Sequence, residues 1–472
     1  MGPNVLRTLL FLVAPSAVHA DFTVNLLITR EVRGAAFPIR SKWTGEACKN
    51  ATTDRVSDLS DPSTDCACLA GAARRRAVMG PSDTAVTNTV TLDTGAYFSG
   101  SGKFFAAFEG NASAELFASV AYTAFGLAYR DFTSGGPEGL AAYLERMRAH
   151  WPDQTDLPRA VVSNIDLVGE TLLSPYLQPY RLIDLADGRK MAVLSLTDPT
   201  HLAALDAEYA ARLTPFWQTL SIQLAALRRS ASGLPEVVAC MIKAMPVTDA
   251  EVEAAGGRYA AEQAATLRLV EEAIGVDIFI LGIYAIDPQV PHIRRNWAGD
   301  EVLVLPGGGR RFGTVIENVT AVFSDEGFLD GNRTASAAIS LEGCRAPEDA
   351  PTAALLDQYE ARQQEILGST LGSLAETLDS PLTGEAASSS PGAAEGAITA
   401  GCMLDVTQTS QFCGCRVAPC KQGAFVADGL RFATDSDLAI VNGGAIRSSL
   451  PSGAISRGDL IQLLPFANEL WS

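Results

Sequence analysis

Apolar runs of strand length alternate with helical patterns over most of this chain, and that alternation confines it to an α/β architecture. Residues 24–29, 90–92, 191–196, 237–242 and 276–281 are rich in Val, Ile and Leu and bounded by turn residues, as buried strands are. Thr248 and Glu251 stand three apart, the spacing of a capping box. The Ala- and Glu-rich stretch that follows reads as helix to about residue 274, interrupted at Gly256-Gly257. In 353–378, Leu355, Tyr359 and Ile366 share one helical face, so 346–380 is expected to be a connecting helix. Around Ser388-Ser389-Ser390-Pro391-Gly392 the sequence turns polar and simple, and 381–401 reads as a flexible insertion. The expected division is therefore a first α/β domain over 21–345 and a second α/β segment over 402–472.

With 472 residues, 47% of them hydrophobic, the chain has material for two or three cores. A formal net charge of −18 disfavours non-specific binding to nucleic acid or to acidic lipid surfaces. Residues 1–20 read as a secretory signal: Arg7, then an apolar stretch from Leu9 to Ala14, then Val18-His19-Ala20 as a small-residue cleavage site. No later apolar run is long enough to span a bilayer, so the protein is expected to be secreted, without a transmembrane segment. Nine cysteines suit an oxidising compartment. Cys48, Cys66, Cys68, Cys344, Cys402, Cys413, Cys415 and Cys420 lie in polar sequence and are disulfide candidates, whereas Cys240 sits in an apolar run and reads as a buried thiol. A zinc site from Cys402, Cys413, Cys415 and Cys420 is an alternative, although paired C-x-x-C spacing is missing. Four Asn-x-Ser/Thr triplets, at Asn50, Asn111, Asn318 and Asn332, agree with a secreted glycoprotein.

The chemistry-bearing run is Ala439-Ile440-Val441-Asn442-Gly443-Gly444-Ala445-Ile446-Arg447-Ser448, followed by Leu463-Leu464-Pro465-Phe466. It reads as an apolar strand delivering a side-chain amide, two glycines and an arginine into one turn. Glycines let backbone N–H groups approach a ligand, and an arginine fork suits phosphate or carboxylate.

This run resembles the IVNGG-x-IR and LPF signature of the 5'-nucleotidase family. Weaker likenesses follow in family order: Leu27-Ile28-Thr29-Arg30-Glu31-Val32-Arg33-Gly34 for LHTNDVHG, Gly71-Ala72-Ala73-Arg74-Arg75 for GG-x-AR, and Leu92-Asp93-Thr94-Gly95-Ala96-Tyr97-Phe98 for LDAGDxF. Gly126-Leu127-Ala128-Tyr129-Arg130-Asp131-Phe132 stands where the family has LGNHEFD, Ser163-Asn164-Ile165-Asp166 resembles SANID, and 275–285 stands for GVDxxxGGHSH. The resemblance implies a metallophosphoesterase-like α/β sandwich followed by a 5'-nucleotidase C-terminal α/β domain, the latter expected to be partial because the chain stops soon after Phe466. In that domain it implies substrate contacts at Arg416, Asn442, Gly443, Gly444, Arg447 and Phe466: arginines for phosphate, Asn442 for the base, and Phe466 as one aromatic of a base-stacking pair. The second aromatic is expected beyond Ser472. Phe466 as plain core and Asn442-Gly443-Gly444 as a plain turn remain open alternatives.

The family's first domain uses two divalent metals held by Asp, His and Asn side chains. Here the corresponding positions hold Glu31, Arg33, Ala96, Tyr129, Arg130, Ile242, Ile283 and Ala285, and the chain's only histidines are His19, His150, His201 and His292. The expectation is a chain with no metal cofactor and no catalytic residue. Arg30, Arg33 and Arg130, joined by Lys243, read either as solvent-facing charge or as cations that hold an anion where the metals would be. The isoleucines favour a filled, dry pocket instead. Three functional readings follow: a secreted non-hydrolytic relative with residual nucleotide or anion binding, an active metal-dependent nucleotide hydrolase, and a structural glycoprotein.

Overall fold

The structure is a computed structural model. Within 21–464 it describes all residues except 31, 33–69, 81–87, 99–106, 121, 134, 152–158, 200–206, 230–234, 283–289, 308–312, 342–346, 379–397, 400–401, 405–410, 414, 416–419 and 447–449; residues 1–20 and 465–472 are also outside the description. The signal-like segment and most of the polar insertion therefore fall outside it.

In β1 (Phe22–Thr29) buried and half-buried positions alternate, so Val24, Leu26 and Ile28 share one face while Leu27 turns to the other. Parallel to it run β2 (Thr89–Asp93), β3 (Ala124–Gly126), β4 (Ala160–Val161) and β5 (Leu177–Gln178). A second sheet holds β6 (Arg181–Asp184), β7 (Lys190–Leu196), β8 (Val237–Ile242), β9 (Ile278–Leu281), β10 (His292–Arg295) and β11 (Glu301–Leu305), in the order β10-β11-β9-β8-β7-β6. β12 (Val315–Phe323) and β13 (Ala335–Ser340) close the first sheet on its other side by antiparallel pairing, giving β13-β12-β1-β2-β3-β4-β5.

The two sheets face one another across a core that includes Leu26, Ile28, Leu92 and Phe323 from the first and Met191, Ala239, Met241 and Ile280 from the second. Strands buried on both faces are apolar without a strict period, which is why 237–242 reads as one continuous run. Helices cover the outer faces. α1 (Ala72–Met79), α2 (Asn111–Val120) and α3 (Gly136–Ala149) lie on the side of the first sheet. Phe117, Leu140, Leu144 and Met147 pack there with Phe125 and Ala160. α4 (Phe216–Arg228) and α5 (Arg258–Glu272) cover the second, Phe216, Leu220 and Leu269 meeting Leu194, Cys240 and Phe279. The result is a four-layer sandwich. The capping box at Thr248 forms as the spacing predicts, and the helix it starts ends at Ala254, before the glycine pair that precedes α5.

The connecting helix is shorter than the sequence suggests. α6 (Ala350–Leu367) packs Leu356 and Tyr359 against α1 and α2, and then the chain turns into β14 (Thr370–Leu374). That strand pairs with β18 (Gly453–Ser456), so 370–374 belongs to the C-terminal part and not to the connector. Between them in sequence lie β15 (Ile398–Thr399), β16 (Cys402–Leu404) and β17 (Gln411–Cys413), a small antiparallel sheet, and α7 (Lys421–Thr434). The C-terminal core is small: Val426, Ile446, Leu450, Ile455 and Leu463. Cys415 and Cys420 form a disulfide, which removes two of the four sulfurs from the zinc alternative. Cys240 is buried in β8 and burial pushes its thiol far above the usual range, so it is inert packing. Among the described residues no helix is long and apolar enough to cross a membrane.

One expected strand is not formed. Residues 438–442 carry no ladder, and Leu438 and Ile440 are 72% and 88% exposed. A strand exists through its partner's hydrogen bonds, and no described strand lies beside this segment.

Candidate functional site

The parallel strands of both sheets end at one edge of the sandwich, and the motif residues lie in the loops that leave them. Thr29 and Asp93 are neighbours in the β1–β2 register, and Thr29 Oγ1 donates to Asp93 Oδ2 at 2.6 Å. The other carboxylate oxygen, Oδ1, accepts the Gly95 N–H at 2.8 Å, and the Tyr122 hydroxyl meets Thr29 Oγ1 at 2.8 Å. Asp131, in the short helix Tyr129–Thr133, accepts three backbone N–H groups: Ala96 at 2.7 Å and Ala128 at 2.8 Å on Oδ2, and Phe98 at 2.7 Å on Oδ1. Asp131 thus ties the loop after β2 to the loop after β3. The tie is close enough to demand glycine at 95, where φ is +94° and a Cβ would lie 2.8 Å from Ala128 N and Gly126 O. Ala96 keeps a left-handed φ of +65° and is fully buried.

Burial pushes the Asp93 carboxyl up to about 6, against the opposing pull of its Thr29 and Gly95 bonds and of Lys243. Asp131 is raised by burial too, although its three N–H bonds and Lys243 counter it. Tyr97 is pushed up to about 12 and Tyr122 well above its usual value, both by burial, with the Arg75 guanidinium lowering each. All these groups are fully enclosed.

From the second sheet comes Lys243, the residue after β8, 3% exposed, with Nζ 3.5 Å from the Gly95 carbonyl oxygen. Its stem fills the space beside β9: a Cβ on Gly282 would lie 2.5 Å from Lys243 Cδ. A Cβ on Gly307, after β11, would lie 2.2 Å from the Gly282 carbonyl oxygen. The ends of β8, β9 and β11 therefore meet backbone against backbone. A groove of about 300 Å³ opens beside this place, after β7 and β8, walled by Pro199, Trp217, Met245, Pro246 and Arg268.

The arginines divide. Arg30 is 1% exposed; its Nη1 sits 2.5 Å from Glu317 Oε2 in β12 and its Nε donates to the Leu281 carbonyl at 2.7 Å. It joins the two sheets and faces neither solvent nor an open anion site, so both uses expected for it give way to a role in the frame. Arg130 is half-buried with its guanidinium carbon 5.3 Å from the centre of the Tyr129 ring. Arg33 lies outside the described residues. Ile242 is buried among residues of the outer core, with Phe216 and Leu220.

The metal pair implied by the resemblance does not fit the described residues. Both oxygens of Asp93 and of Asp131 are taken by protein donors. Among the described residues no cluster of three or more His, Cys, Asp and Glu side chains is placed to hold a metal ion. His150 lies just past the outer helix α3, 3.6 Å from Glu115, and His292 lies on the edge strand β10.

In the C-terminal part, Asn442 is exposed and its Oδ1 accepts the Gly444 N–H at 2.8 Å, capping the 3₁₀ turn Gly443–Ala445. The turn alternative thus forms, while the outward face of Asn442 stays open. Arg416, Arg447 and Phe466 lie outside the described residues, so their expected convergence on Asn442 is not part of the described structure. Sequence reading passed over Thr29, Tyr122 and Asp131 as site residues; for Thr29 and Asp131 the signal available was their polarity inside strand-end motifs, whereas Tyr122 precedes its strand and carried none.

Residues 398–472 match the family model "5'-nucleotidase, C-terminal domain". A 48-residue stretch, 10% of this chain and 4% of the relative, is 48% identical to endonuclease YhcR of Bacillus subtilis (strain 168). Solved structures with a similar fold include a 5'-nucleotidase precursor from Thermus thermophilus, at 18% identity and TM-score 0.59, covering 94% of this chain and 74% of that one. NAD nucleotidase of Haemophilus influenzae superposes with TM-score 0.55 at 15% identity, over 95% of this chain and 75% of that chain. A 5'-nucleotidase from Candida albicans gives 0.52 at 12% identity, over 94% and 73%.

Proposed function

We propose that this chain, which belongs to the 5'-nucleotidase family by its two-part fold and its C-terminal domain, is a secreted, non-hydrolytic relative that keeps a weak hold on nucleotide or another small anion. The observation that carries the reading is the closed strand-end centre. Asp93 and Asp131 give all four oxygens to protein donors, Ala96 is buried, and Lys243 fills the space against Gly282. Two-metal hydrolysis needs divalent charge on both the attacking and the leaving oxygen. A lysine and two carboxylates already holding the backbone of their own loops do not provide it. Arg33, Tyr129, Arg130, Ile283 and Ala285 at the remaining positions support the same reading.

Residual affinity belongs to the C-terminal domain, where Arg416 and Arg447 would pair with phosphate, the Gly443-Gly444 turn would allow backbone approach, and Asn442 and Phe466 would address the base. Arg33 and Arg130 remain candidates for an anion at the first domain's edge. Secretion is supported by the signal-like first twenty residues and by the Cys415–Cys420 disulfide, and glycosylation by the exposed turn position of Asn332. The test is elemental analysis of purified protein together with AMP hydrolysis with and without chelator, and calorimetry with AMP and adenosine. Expected are no stoichiometric divalent metal, no hydrolysis above background, and weak AMP binding that Arg447→Ala abolishes. Chelator-sensitive turnover would instead establish an active hydrolase, and complete absence of AMP binding would favour the structural-glycoprotein reading.

A further inference from the structure

Two carboxylates, Asp93 and Asp131, stand fully buried on adjoining loops of the first sheet, and the charge of Asp131 raises the cost of ionising Asp93. Backbone N–H groups and one hydroxyl satisfy their hydrogen bonds, but these are dipoles and leave two formal charges uncompensated in a low-dielectric place. Lys243 arrives from the opposite sheet. Its ammonium is enclosed, reaches the Gly95 carbonyl on the very loop that Asp93 and Asp131 hold, and acts favourably on both carboxylates. Its four-carbon stem takes the volume at the end of β9, where Gly282 leaves no Cβ.

From this geometry we propose that Lys243 is a resident internal cation that balances the two buried carboxylates and lets the two strand-end loops close on one another. The inference rests on the non-hydrolytic reading above and adds how the emptied centre is kept folded. One side chain of the second sheet thereby reaches the loop that the acidic residues of the first hold, and the sandwich gains a cross-sheet tie. Lysine suits this because its charge sits at the tip of an apolar stem that the surrounding strands can pack.

The experiment is a double-mutant cycle on the full chain, read as thermal midpoint at about pH 7.5. Lys243→Met keeps the stem and removes the charge; Asp93→Asn removes one of the charges it balances. Lys243→Met alone is expected to lower the midpoint by several degrees, while in the Asp93→Asn background the same change lowers it by less than half as much, the mark of two groups that interact. Lys243→Gln, which also removes the charge but keeps a hydrogen-bonding tip, is a second variant should Lys243→Met fail to fold, and its loss should likewise shrink with Asp93→Asn. Chelator should leave the wild-type midpoint unchanged. Losses that add within error would overturn the role given to Lys243 while leaving the non-hydrolytic reading intact. A wild-type midpoint that falls on chelation would overturn that reading itself.

Discussion

Replacing Arg30 with methionine is expected to destabilise the first domain severely, because Arg30 is a tie between the sheets. Its Nη1 lies 2.5 Å from Glu317 Oε2, its Nε 2.7 Å from the Leu281 carbonyl, and both charged side chains are buried. Methionine keeps most of the apolar stem, so the loss is electrostatic. Removing one member of a buried pair takes a close charge partner from the other, at about 3–5 kcal/mol. The abandoned Leu281 carbonyl adds about 1 kcal/mol if water cannot reach it, and the long Leu305 contact at 3.4 Å adds little. A total of about 4–6 kcal/mol is expected, partly relieved if Glu317 picks up a proton. Urea unfolding followed by tryptophan fluorescence reads it directly. The companion Arg30→Met/Glu317→Leu should recover most of the loss, since an apolar pair of matching volume often does as well as a buried ion pair. If Arg30→Met costs under about 1 kcal/mol, within the range of an exposed pair, Arg30 is not a structural tie, and the anion-holding role would return for it.

Two further outcomes follow from the same centre. The Asp93 carboxyl titrates at about 6 in the folded chain against about 3.9 unfolded, so the native state binds the extra proton between these values. Stability from this group is therefore full below about pH 4 and falls as pH rises to about 6, by about 3 kcal/mol, and Asp93→Asn should remove that slope from the difference between variant and wild-type urea curves. A wild-type curve that rises with pH relative to Asp93→Asn over that window would contradict the buried placement. Gly95→Ala should destabilise by about 2 kcal/mol or more, because it combines a φ of +94° with a Cβ pressed to 2.8 Å against Ala128 N and Gly126 O. Chemical denaturation that finds it neutral would mean the two loops are not held together as described.

Much of the layout was legible because it is local. Apolar runs of strand length bounded by turns located β1, β2, β7 and β8 to within a residue or two, and Thr248 with Glu251 announced a helix start that forms as read. The missing histidines were visible as bare composition, which no folding can reverse. Where partners lie far away in sequence, the reading fell short. The segment 438–442 has strand composition but no ladder, and 370–374 looks like the tail of a helix until β18 pairs with it from more than 75 residues on. Arg30 looked like a surface or anion-binding charge because its partner Glu317 is 287 residues away. Lys243 was read with the arginines as surface or anion-holding charge, since nothing in chain order places it against the Gly95 loop of the other sheet. Composition and periodicity thus decided the α/β class and how few histidines the chain can offer, because those depend on which residues exist and how they repeat. Only the packing of the two sheets decided which charges are buried together, because burial is a property of the faces that meet, and that meeting is what puts Asp93, Asp131 and Lys243 into one enclosed place.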